Sequence, residues 1–175
     1  MEAIVNKVAA SGLVSLDPAG FLPSAPVLEL DLKPFLFQGL LLREKEFRQA
    51  MKEQDWSRFE GRVVALFCST DALIPMWAYM LVASQLRPHT ADIFFGTATA
   101  ALSQYASSRI RAMDVRELED QRVVVKGCGD REVPADAYLA LAQVLQPVVK
   151  SLMFGEPCST VPVYKRPVSA PSASH

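Results

Sequence analysis

Arg62-Val63-Val64-Ala65-Leu66-Phe67-Cys68 is an apolar run of buried-strand length, and its opening returns as Arg122-Val123-Val124 ahead of Cys128. The match continues beyond the cysteines. Pro75, Ala78-Tyr79, Ala83, Leu86, Pro88 and Phe95-Gly96 are answered by Pro134, Ala137-Tyr138, Ala142, Leu145, Pro147 and Phe154-Gly155. Slipping one residue between cysteine and proline keeps the two thiols in step. A repeat of this length is a statement about architecture before it is one about chemistry.

Each copy reads as strand, helix, strand. Ser69-Thr70-Asp71 supplies capping side chains, Pro75 suits an early helical turn, and Pro88 disfavours helical geometry at Arg87. Ile93 to Phe95 is a short strand closed by Gly96, Thr97 to Ile110 is helical, and Asp114 to Glu117 has capping-box spacing. Residues 148–154 fit strand or helix. Upstream, Ile4, Val5 and Val8 share a helical face ending at Gly12. Leu28, Leu30 and Leu32 alternate with charged residues as in a half-exposed strand, and Phe35 to Leu42 reads as a second strand with a possible bulge at Gly39. These two are expected to form an antiparallel edge. Arg43 to Asp55 is helical, with Phe47, Ala50 and Met51 inward. Alternating strands and helices imply parallel neighbours. The expectation is an α/β fold: one domain over residues 1–164, a mixed sheet, a duplicated strand–helix–strand unit (62–96 and 122–155), and a disordered Pro/Ser/Ala-rich tail over 165–175.

Composition limits the partners. The 175 residues are 50% hydrophobic with a net charge of −1, which argues against bulk attraction to nucleic acid. No apolar run has the length of a membrane span, and the acidic start Met1-Glu2 is unlike a signal peptide, so a cytoplasmic location is expected. Gly-rich phosphate loops and dinucleotide fingerprints are absent. A Ser-His-acid triad would need His89, which reads as a surface residue.

The chemistry therefore rests on three cysteines. Ligands in such folds bind outside the carboxyl ends of parallel strands, and Cys68 and Cys128 both follow strands. Cys158, in Phe154-Gly155-Glu156-Pro157-Cys158, has no counterpart after Gly96 and is placed to reach the same rim. Three thiolates with Asp71 as a fourth or nearby ligand suit zinc or an iron–sulfur cluster. A second reading takes Cys68 or Cys128 as a nucleophile, activated ahead of a helix, in thiol or persulfide transfer. A third has cysteines that merely pack in an interaction module. Asp71 and Asp130 also read as helix caps, and Trp77, Tyr79 and Tyr138 as packing residues. Gly127-Cys128-Gly129 is compatible with a tight turn exposing N–H groups to an anion. A homodimer fits all three readings.

The blocks Ile4-Val5-Asn6-Lys7-Val8, Leu36-Phe37-Gln38-Gly39-Leu40, Asp55-Trp56-Ser57, Cys68-Ser69-Thr70-Asp71-Ala72, Trp77-Ala78-Tyr79-Met80, Lys126-Gly127-Cys128 and Gly155-Glu156-Pro157-Cys158-Ser159-Thr160-Val161-Pro162 resemble those of domain-of-unknown-function family 2480. The resemblance reaches to about Arg166 and includes all three cysteines but not His89. It implies a Bacteroidetes origin and no established activity. It also suggests an association with iron–sulfur cluster assembly proteins as partners.

Overall fold

The computed structural model describes residues 5–8 (backbone only), 12–127 and 129–167. It is an α/β protein whose chain forms two compact units, residues 23–106 and residues 1–22 with 107–175.

The unit of residues 23–106 is built on three parallel strands in the order β3 (Leu28–Asp31), β4 (Val64–Phe67) and β5 (Ile93–Phe95). Helices α1 (Glu44–Glu53) and α2 (Met76–Leu86) make the connections. The central strand is apolar throughout because it has a neighbour on each edge and packing on both faces, and Val64 and Ala65 are fully buried. Its core gathers Leu30, Leu32, Phe47, Met51, Phe59, Val82 and Leu86. Phe47 and Met51 are four apart on the inner face of α1, while Arg48 and Glu44 pair on the exposed side at 2.9 Å.

The second unit holds a mixed five-stranded sheet, ordered β1 (Val5–Val8), β2 (Leu13–Leu16), β6 (Arg122–Val125), β7 (Ser151–Glu156) and β8 (Ser159–Lys165). Its three inner strands are parallel and its two edges antiparallel. Helix α4 (Ala135–Leu145) joins β6 to β7, and α3 (Ala98–Arg111) leads in from the other unit's sequence. No helix among the described residues is long and apolar enough to cross a membrane.

Several expectations are corrected. The first segment is not a helix. It is β1 of a hairpin with β2, turning near Gly12 at φ +62°, where a left-handed residue is needed. Residues 35–42 are not a strand, and the antiparallel edges lie elsewhere. Pro34 opens a 3-10 turn over Lys33–Phe35, and Gln38 and Gly39 both have positive φ, leaving one isolated bridge between Phe37 and Leu41. The segment after Asp114 is a 3-10 turn, Arg116–Leu118, whose amide the Asp114 carboxylate accepts. Residues 151–156 are strand, resolving that ambiguity. Lys165 and Arg166, expected in the tail, are ordered: Lys165 ends β8, and Arg166 bonds the Lys150 and Val148 carbonyls and pairs with Asp120. The rest of that expectation, residues 168–175, lies outside the described residues.

The β7–β8 hairpin depends on one glycine. Gly155 has φ +121°, and a Cβ there would lie 2.5 Å from the Ser159 carbonyl oxygen. Gly155→Ala is expected to cost about 2 kcal/mol or more of stability in denaturant unfolding. Gly12→Ala, where nothing lies within 4 Å of a new Cβ, should cost only the backbone's about 1 kcal/mol.

Candidate functional site

Where a parallel strand ends, its last amides and carbonyls face the loops that follow. In the five-stranded unit, β2 ends at Leu16 and β6 at Val125, side by side in register. Asp17 follows β2 and accepts the Ala19 amide at 2.9 Å, capping a 3-10 turn. Lys126 follows β6, and its amide donates to the Leu16 carbonyl at 3.0 Å. The loop then runs past Arg131 and Glu132 to Pro134, the extended residue that starts α4.

A cleft of 520 Å³ opens at this edge, lined by Asp17, Lys126, Gly127, Gly129, Arg131, Glu132 and Tyr138 with Pro18, Ala19 and Val133. One wall is set by ring packing. Phe154, beside Val125 in the sheet, lies over Gly127 so closely that a Cβ there would meet its ring at 2.4 Å. Tyr138 packs edge-on against Phe154 with centroids 5.7 Å apart. The lining thus joins two cations, two carboxylates, a phenol and the backbone of two glycines.

The three-stranded unit has a polar cluster at the matching edge. Asp31, the last residue of β3, accepts the Lys33 amide, the Ser69 amide and the Ser69 hydroxyl at 2.9, 2.9 and 2.5 Å. Burial pushes the Asp31 carboxyl up, but these hydrogen bonds outweigh it and hold its pKa below the ordinary 3.8. Tyr79 is pushed up, first by burial and then by the neighbouring Cys68 and Asp31. Cys68 is half-buried, its sulfur 3.4 Å from the Thr70 hydroxyl.

The expected ligands fall as follows. Cys68 lies just after β4, and Asp71 is exposed in the same loop. Cys158 is exposed in the β7–β8 turn of the other unit. Cys128 lies outside the described residues. Among the described residues, no group of three or more His, Cys, Asp or Glu is arranged to hold a metal ion. The capping roles also shift. Pro75 and Pro134 occupy the N-caps of α2 and α4 without any side-chain cap bond. Ser69 binds Asp31 instead of a helix end, and Thr70 accepts the Ala72 amide. His89 pairs with Glu60 at 3.0 Å.

Sequence reading missed Asp17 and Asp31. The signal was present as Val14-Ser15-Leu16-Asp17 and Leu28-Glu29-Leu30-Asp31, where a Leu-Asp pair falls at or just past the end of a strand. It also missed Lys126 and Arg131, which the loop path brings to one cleft.

Asp31 makes stability depend on acid. Its folded pKa is depressed, so its contribution is present above 3.8 and lost as the pH falls through the lower folded value. Asp31→Asn should lose about 1 kcal/mol at neutral pH and flatten the acid limb of a denaturant-midpoint titration. An unchanged acid limb would place that sensitivity elsewhere.

The family model described as protein of unknown function (DUF2480) matches residues 2–166, and the chain belongs to that family. No curated protein and no solved structure matches it.

Proposed function

We propose that the protein is a thiol or persulfide transferase with Cys128 as its nucleophile. The observation that carries this reading is the cleft itself. Gly127 and Gly129, which flank Cys128 in the sequence, both line it, together with Lys126 and Arg131 and the carboxylates Asp17 and Glu132. Cations beside a thiol favour the thiolate, and they also draw in an anionic donor or acceptor. In persulfide transfer the Cys128 thiolate attacks the outer sulfur of a donor persulfide. The donor's own sulfur leaves as a thiolate, and Cys128 is left carrying the persulfide.

The test is competitive alkylation of the native protein near neutral pH, read by mass spectrometry at each cysteine. Cys128 is expected to label first, and Lys126→Ala/Arg131→Ala to slow it by about tenfold, as one unit of thiol pKa would. If Cys128 labels no faster than the exposed Cys158, the reading fails.

A second reading is favoured by exposure. Cys158 is exposed and Cys68 only half-buried, unlike cysteines that merely fill a core. In this reading the cysteines bind zinc or an iron–sulfur cluster, and the protein assists iron–sulfur assembly proteins. Protein purified without oxygen should then carry metal that the triple cysteine-to-serine variant lacks. Equal metal in both sinks it.

A further inference from the structure

The charged cleft lies within one unit, and its lining divides by chemistry. Lys126 and Arg131 are cations, and Asp17 and Glu132 are carboxylates. Pro18, Val133 and the Tyr138 ring add apolar surface. Two of the four charges are not committed to the protein. Among the described residues, neither Lys126, which is half-buried, nor Glu132, which is exposed, belongs to an ion pair. Asp17 accepts the Ala19 amide with one carboxylate oxygen and can take a further donor on the other.

The fold does not require these charges. Strand β4 with α2 and β5 matches β6 with α4 and β7 position by position. Leu66 lies beside Phe95, and Val125 beside Phe154. Each phenylalanine packs edge-on against a tyrosine of the intervening helix, Tyr79 at 5.2 Å and Tyr138 at 5.7 Å. Each is followed by a glycine, at φ +119° and +121°. Both helices have 11 residues and start after a proline. All these pairs are separated by the same 59 residues. At that spacing Lys126, Arg131 and Glu132 stand where the other unit has Phe67, Ala72 and Leu73. The same strand, loop and helix thus form with apolar residues at all three places, so holding the loop does not account for the charges.

We infer that the cleft binds a small zwitterion, a free amino acid or short peptide with an apolar side chain. Its 520 Å³ falls within the about 300–1,000 Å³ of small-molecule sites. Charge selects the class. A simple anion is attracted by Lys126 and Arg131 but repelled by Asp17 and Glu132, and for a simple cation the signs reverse. A molecule with both an ammonium and a carboxylate can be attracted by all four. Its carboxylate is met by the two cations, its ammonium by the two carboxylates, and its side chain by Pro18, Val133 and the Tyr138 ring. The binding uses no thiol and so stands apart from the transferase reading.

Isothermal titration of the full chain with L-leucine and with leucylglycine tests this. At least one is expected to bind with one-to-one stoichiometry, and the tighter of the two identifies the source, amino acid or peptide. N-acetylleucine lacks the ammonium and leucinamide the carboxylate, and each should bind at least about tenfold more weakly. Lys126→Ala and Glu132→Ala should each weaken the zwitterion by about tenfold with unchanged circular dichroism, as loss of one charge-assisted contact would. Lys52→Ala, at an exposed position of α1 in the other unit, should leave the affinity as it is. No binding of either zwitterion overturns the inference. So does equal binding of a singly charged analogue, or a complex that neither cleft substitution weakens. Leucine carries no thiol, so each of these failures leaves the alkylation test of Cys128 untouched.

Discussion

A strand with parallel partners on both edges has no face to give to water, and β4 and β6 meet that demand with Val64, Ala65, Val123 and Val124, all fully buried. Much of the rest follows from these two strands. Each fixes the register of a neighbour whose last residue is followed or occupied by an aspartate, Asp17 beyond β2 and Asp31 at the end of β3. Each delivers its next residues to the rim where polar side chains gather. Their helices α2 and α4 can start without side-chain caps because a proline sets the entry angle of both.

The register also decides which residues are equivalent. Leu66 and Val125 hold the same place, so the residue two further on is Cys68 in one unit and Gly127 in the other. The slip that aligned Cys68 with Cys128 in sequence is not seen in the strands. This single step has consequences for packing. Gly127 leaves room for the Phe154 ring to lie over the strand end. Cys68 has a side chain at that place, and Phe95 is more exposed than Phe154, 64% against 40%. A glycine thus helps build a walled cleft on one rim, while a cysteine goes with an outward phenylalanine on the other.

What was legible followed from local pattern. The run to Phe67, the prolines at 75 and 134, and the inward spacing of Phe47 and Met51 were read correctly because each is decided within a few residues. What failed was decided by distant partners. Val5 to Val8 fits a helical face as well as a strand, and only pairing with β2 chooses between them. The strand β8 was not anticipated, and it accommodates Pro162 where the register shifts opposite Leu152 and Met153. Of the site, the strand-end positions were legible, but the aspartates and the cations of the cleft were not, since loops bring them together.

The contrast between the two rims bears on where chemistry belongs. On one, Asp31 is committed to two amides and a hydroxyl, and the Tyr79 pKa is pushed up by burial and then by nearby Cys68 and Asp31. Groups so satisfied serve to fix a loop, and a rim of this kind, edged by Leu73 and Met76, gains more from excluding water than from binding a charged ligand. On the other, charged side chains of both signs line an open space beside glycines whose backbone is accessible to a ligand. Reaction at a thiol needs both approach and a field that steadies developing negative charge. Lys126 and Arg131 line the cleft beside Asp17 and Glu132, and Phe67 and Ala72 stand at the positions matching the two cations. One architecture thus carries two rims of different character, one edged by exposed apolar side chains and one lined by charged side chains of both signs.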